Sequence, residues 1–122
     1  MANIVVIDDD PLFCDLLSTM LGQDGHRVTA ASDGEAGLAL VQRNPPDLVI
    51  TDILMPRLDG VDIIRRLHVS HPDLPIIAIS GGRRSISAEF NLNSATLIGA
   101  RKTLAKPFTR QQLLQTVKEV LG

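Results

Sequence analysis

The 122 residues include one cysteine, no tryptophan, no tyrosine and only three phenylalanines. A lone thiol, Cys14, excludes an intramolecular disulfide and suits a reducing compartment. So little aromatic surface offers few platforms for stacking bases. A net charge of −2 has the wrong sign for a general nucleic-acid binder, so no direct nucleic-acid partner is expected. Long apolar runs are missing as well: the chain reaches Asp8 after only four strongly apolar positions, too few for a signal peptide or a membrane span. A cytoplasmic protein without membrane insertion is the expectation.

Apolar residues make up 44% of the chain and charged residues 21%, the mixture of one soluble globular domain. At this length roughly two-thirds of the unfolded surface can be buried without help from metals or disulfides. A single domain over 1–122 with no output domain is therefore expected. The charge is unevenly spread. Residues 1–62 hold 11 acids and 3 bases, whereas residues 63–122 hold 3 acids and 9 bases. Eleven of the 14 acids are aspartates, which favour turns and caps, so carboxylates should gather where elements begin and end.

Five short apolar runs alternate with five helical segments: Ile4 to Ile7, Arg27 to Ala31, Leu48 to Thr51, Ile76 to Ile79 and Arg101 to Leu104. The pattern predicts an α/β protein of the (βα)5 kind. The first helix should start at the N-cap Asp10 with Pro11 in its first turn. Its stripe would be Leu12, Phe13, Leu16, Leu17, Met20 and Leu21, with Gly22 just past its end. Gly34 to Asn44 and Asp59 to Ser70 make the second and third helices, and Leu113, Leu114, Val117, Val120 and Leu121 stripe the last. Residues 87–98, with Asn91, Asn93, Ser94 and Thr96, make a poor helix that should be mobile or irregular. Runs one, three and four are continuously apolar, whereas runs two and five carry Arg27, Arg101 and Lys102, as edge strands do. Several orders put two and five outside; the doubly wound order 2-1-3-4-5 does so with right-handed crossovers.

In such a sheet, sites lie beyond the carboxyl ends of the strands. Run one ends in Asp8-Asp9-Asp10, run three in Asp52 and run four in Ser80-Gly81-Gly82, while run five leads to Lys106-Pro107. Carboxylates, a hydroxyl and an ammonium thus converge from distant parts of the chain. Two carboxylates about 4 Å apart repel by roughly 4 kcal/mol at an effective dielectric near 20, and Lys106 supplies one positive charge. A hard divalent cation supplies the rest, and Mg²⁺ suits the count. An aspartate beside such an ion can attack phosphorus while Lys106 and Ser80 bind the phosphoryl oxygens. Asp10 is better read as a helix cap.

These residues, Ile4 to Asp10, Asp47 to Pro56 with Asp59-Gly60, Ser80 and Lys106-Pro107-Phe108, resemble the receiver domain of two-component response regulators over essentially the whole chain. The resemblance implies a CheY-like, flavodoxin-like fold and a phosphorylatable signalling switch rather than an enzyme, its catalysis confined to self-phosphorylation and slow self-dephosphorylation. It implies that Asp52 is the phosphoacceptor. Asp8, Asp9, Asp52 and the backbone carbonyl of Leu54 would hold Mg²⁺, Lys106 would contact the phosphoryl group, and Ser80 would be the switch hydroxyl. It further implies a cis bond before Pro107 and, as partners, a sensor histidine kinase or histidine phosphotransfer protein and a downstream protein target.

Two features depart from the family. Thr103 stands where an aromatic is common, and the 25 residues from 81 to 105 between Ser80 and Lys106 are more than usual. The output face is therefore expected in 81–105, with Arg83 and Arg84 as a docking pair and a reordering of 81–98 on phosphorylation. A monomer or weak dimer is expected. His68 and His71 lack two further zinc ligands, and Cys14 reads as structural. Against the switch stand a Mg²⁺-dependent phosphohydrolase of haloacid dehalogenase type, which lacks its acidic pair after Lys106, a flavodoxin-like cofactor binder, whose phosphate three aspartates would repel, and a degenerate binding module that takes no phosphoryl group.

Overall fold

Capping side chains set where the helices begin. Asp10 accepts from the backbone N–H groups of Leu12 and Phe13 at 3.0 and 3.4 Å and opens α1 (Pro11–Gln23). Asp33 accepts from Ala36 at 2.8 Å at the start of α2 (Gly34–Arg43). Thr109 and Gln112 exchange side-chain and backbone hydrogen bonds in a capping box before α4 (Arg110–Leu121). A third helix, α3 (Gly60–Ser70), lies between them. These come from a computed structural model that describes residues 2–53, 60–81 and 99–122, without the side chains of residues 60, 61, 80 and 81.

Five parallel strands, β1 (Asn3–Ile7), β2 (Arg27–Ala31), β3 (Leu48–Asp52), β4 (Ile76–Gly81) and β5 (Lys102–Lys106), form one sheet in the order β2-β1-β3-β4-β5. The expected doubly wound order is the observed one. Side chains alternate across the sheet, so each face has its own core. Ile4, Val6, Leu48, Ile50, Ile77 and Ile79 pack with Leu17 and Leu21 of α1 and Leu113 and Val117 of α4. Val5, Ile7, Val49, Ile76 and Ala78 pack with Val41 of α2 and Ile63, Ile64 and Leu67 of α3. No helix among the described residues is long and apolar enough to cross a membrane.

Three local expectations need correction. α1 continues through Gly22 to Gln23, and the residue that turns the chain toward β2 is Gly25, at φ +88°. Leu12 and Leu16 are 79% and 52% exposed, and Cys14 is buried in their place, because the helix lies on the sheet through Cys14, Leu17 and Leu21. β5 runs from Lys102 to Lys106 rather than from Arg101 to Leu104, its last pairs being Ser80 with Ala105 and Gly81 with Lys106. Residues 87–98 and Asp59 lie outside the described residues.

Two glycines in helices give opposite predictions. A methyl group on Gly37 of α2 would stand 2.6 Å from Ile7 Cγ1 and closer still to Cδ1, whereas one on Gly22 meets nothing within 4 Å. Gly37→Ala is expected to cost about 1–3 kcal/mol through overpacking. Gly22→Ala should gain about 0.5–1 kcal/mol from helix propensity alone. Urea midpoints at unchanged slope measure both. A Gly37→Ala protein as stable as the Gly22→Ala one would contradict the close approach of α2 to β1.

Candidate functional site

Neighbouring strands deliver two of the acids. Ile7 pairs with Thr51 in register, so Asp8 and Asp52 emerge side by side at the carboxyl edge of the sheet, with Asp9 next in the chain. Lys106 comes from β5, beyond β4, and its long stem reaches across that strand. Its Nζ lies 3.3 Å from Asp52 Oδ2 and 3.4 Å from Asp8 Oδ2. Both distances exceed the 2.7–2.9 Å usual for a tight charge-assisted bond, as befits one ammonium shared by two carboxylates.

Asp8 and Asp52 are buried and Asp9 is half-buried. Burial pushes the Asp8 carboxyl from 3.8 up to about 6, and the charge of Asp52 adds to the rise. The N–H of Asp10, which donates to Asp8 Oδ1 at 2.9 Å, and the Lys106 ammonium both oppose it. Beneath, the Cys14 Sγ lies 3.3 Å from the Asp8 carbonyl oxygen. Burial, followed by the charge of Asp8, pushes this thiol up to about 11, which leaves it protonated and inert.

One oxygen from each of Asp8, Asp9 and Asp52 lies within 4.8 Å of the others, the one group of this kind among the described residues. At that separation each carboxylate pair repels by about 3 kcal/mol at an effective dielectric near 20. Three carboxylates and one ammonium leave two negative charges, which a hard divalent cation with oxygen ligands balances. The donor set therefore fits Mg²⁺. A groove of about 840 Å³ runs along α4 to Ala2, His26 and Asp47 and includes none of these residues.

Of the residues singled out in the sequence, Asp8, Asp9, Asp52 and Lys106 come together, while Asp10 caps α1. Ser80 lies on β4, but its side chain is outside the described residues, as are Leu54, Arg83 and Arg84 altogether. Thr103 is half-buried on the edge strand β5, opposite Ala78. The Lys106–Pro107 peptide bond is cis. His71 Nδ1 lies 2.8 Å from Ser70 Oγ, and neither His68 nor His71 joins a metal-competent group among the described residues.

One neighbour of the site was not foreseen from the sequence. Phe13 appeared there only as part of an apolar stripe. In the structure its ring lies under the Lys106 ammonium, with Nζ 3.9 Å from the ring centroid. Phe108 meets Phe13 edge-on, with centroids 5.8 Å apart and planes at 79°. Phe108 stands two residues after the lysine, but Phe13 lies far from both in the chain, and nothing in the sequence pairs it with them.

Comparison with known proteins agrees with this geometry. Residues 4–118 match the sequence model of the response regulator receiver domain. The response regulator MprA of Mycobacterium sp. strain KMS is 37% identical over 119 residues, which cover 98% of this chain and 50% of that protein. This chain spans about half the length of the curated relatives it matches. Among solved structures, the receiver domain of NtrX from Brucella abortus superposes with a TM-score of 0.90 at 32% identity, over 97% of both chains. A response regulator receiver domain protein from Clostridium thermocellum gives 0.91 at 32% identity, over 99% of this chain and 94% of that one.

Proposed function

Because the chain belongs to the response regulator receiver family, and is as such a phosphorylatable signalling switch rather than a conventional enzyme, we propose that Asp52 carries the phosphoryl group. The observation that supports this assignment is the sharing of the Lys106 ammonium between Asp52 and Asp8 beside three convergent carboxylate oxygens. Asp8, Asp9 and Asp52 would hold Mg²⁺ together with the Leu54 carbonyl. When bound, that ion supplies positive charge to the phosphoryl oxygens.

An Asp52 carboxylate oxygen attacks phosphorus in line, forming the P–O bond as the P–N bond of a phosphohistidine breaks and the imidazole leaves with its proton. The donor is a histidine kinase or a histidine phosphotransfer protein. Lys106 follows the negative charge from the Asp52 carboxylate onto the new phosphoryl oxygens, and the Ser80 hydroxyl binds another of them. Slow loss of the group to water is the only other chemistry. The output passes to a protein partner whose affinity changes; residues 82–98, with Arg83 and Arg84, lie outside the described residues.

Intact mass after incubation with acetyl phosphate tests this reading. The protein should gain one phosphoryl group with Mg²⁺ and none when the metal is chelated. No gain in either case, joined by no binding of beryllofluoride, would instead make the chain a binding module that works without phosphorylation.

A further inference from the structure

The Lys106 ammonium meets carboxylate oxygens of Asp8 and Asp52 on one side and the face of an aromatic ring on the other. A lysine at a sheet edge would ordinarily keep its remaining hydrogen-bonding directions in water, and a four-carbon stem leaves it many rotamers. Here the Phe13 ring, at 3.9 Å from Nζ, takes up one of those directions with its negative face. The ring is itself fixed. Phe13 is half-buried at the start of α1, packs against the apolar core and is met edge-on by Phe108 from the segment that follows Lys106. The side chain of Lys106 is only 20% exposed.

We propose that Phe13 is a positioning residue for phosphorylation, holding the Lys106 ammonium by a cation–π contact at the point where it meets the incoming phosphoryl oxygens. The proposal rests on the assignment of Asp52 and Lys106 above. In this role Phe13 acts through the lysine. An ammonium already held against a ring loses less freedom when phosphoryl charge develops beside it, and the ring keeps water from competing for that ammonium.

The test uses the full chain and the variants Phe13→Leu, Phe13→Met and Phe13→Tyr. In metal-free protein the ε-methylene protons of Lys106, assigned by their loss in Lys106→Arg, should resonate upfield of those of Lys102 and Lys118 through the ring current. That displacement should vanish in the Leu and Met variants and persist in Phe13→Tyr. The rate of mass gain from acetyl phosphate at saturating Mg²⁺ should fall about tenfold in the Leu and Met variants and stay within about twofold in Phe13→Tyr. A ring that merely fills space would let Met match Tyr in rate, and that result would overturn the proposal. So would an undisplaced Lys106 signal in the unmodified protein. If the unmodified protein takes no phosphoryl group, the Asp52 reading fails on its own account. The Lys106 signal then decides whether the ring holds the lysine.

Discussion

Asp52→Asn is expected to abolish the mass gain from acetyl phosphate at every Mg²⁺ concentration. The amide keeps the size and shape of the side chain but has no anionic oxygen to attack phosphorus, so the loss should be complete rather than graded. A second measurement separates loss of the nucleophile from loss of the fold. The charge of Asp52 is one of the causes that raise the Asp8 carboxyl to about 6, so the neutral amide should let Asp8 titrate lower, as followed by its carboxyl carbon signal. Lys106, which lies 3.4 Å from Asp8 Oδ2, should keep that contact in the variant. An undiminished mass gain in Asp52→Asn would move the acceptor to another aspartate of the trio.

Asp8→Asn should act in two directions at once. The ordinary value of this carboxyl is 3.8 and its folded value about 6, so the folded protein binds the proton more tightly than the unfolded chain does. Stability from this group is therefore present below about pH 4, declines as pH rises through 4 to 6 and is absent at neutrality. The full shift is worth up to about 3 kcal/mol. Asparagine removes that penalty but also removes the ion pair with Lys106 at 3.4 Å, so the metal-free variant should be about 1–2 kcal/mol more stable than the parent at pH 7. The difference should disappear near pH 4. Mg²⁺ should reverse the ranking, since it stabilises only the protein that binds it. Phosphorylation should slow by roughly a hundredfold yet still occur, because Asp52 remains. Chemical denaturation across pH with and without Mg²⁺, joined to intact mass, measures all of these. A destabilised metal-free variant at pH 7 would show that the Lys106 pair outweighs the cost of burying the charge.

Most of this fold was legible in the sequence because each strand's neighbours write its composition. β1, β3 and β4, which lie inside the sheet, carry the apolar runs Ile4–Ile7, Leu48–Ile50 and Ile76–Ile79, whereas β2 and β5 carry charges that only an edge tolerates. Caps were legible for the same local reason, as Asp10 shows. The rotation of α1 was not. Leu12, Phe13, Leu16 and Leu17 offer two overlapping stripes, and the choice between them is made by the sheet against which Cys14, Leu17 and Leu21 pack. The end of β5 was hidden because Ala105 and Lys106 have no strand-like composition and join the ladder only through Ser80 and Gly81. For the site, Asp8, Asp9, Asp52 and Lys106 could be placed because strand ends converge in this topology. The Phe13 contact could not, since it depends on the same unforeseen rotation of the helix that carries it.

The order of the strands in space differs from their order along the chain, and this matters while the protein is being made. Synthesis from the amino end presents Asp8 and Asp9 first, then Asp52, and then Lys106. Parallel strands cannot pair until each crossover is complete, and the acids at the ends of β1 and β3 precede in the chain the lysine that bridges them. Docking of β5 completes the ladder and brings one ammonium to three convergent carboxylates. The acids at the ends of β1 and β3 therefore gain their shared ammonium only with the closing strand.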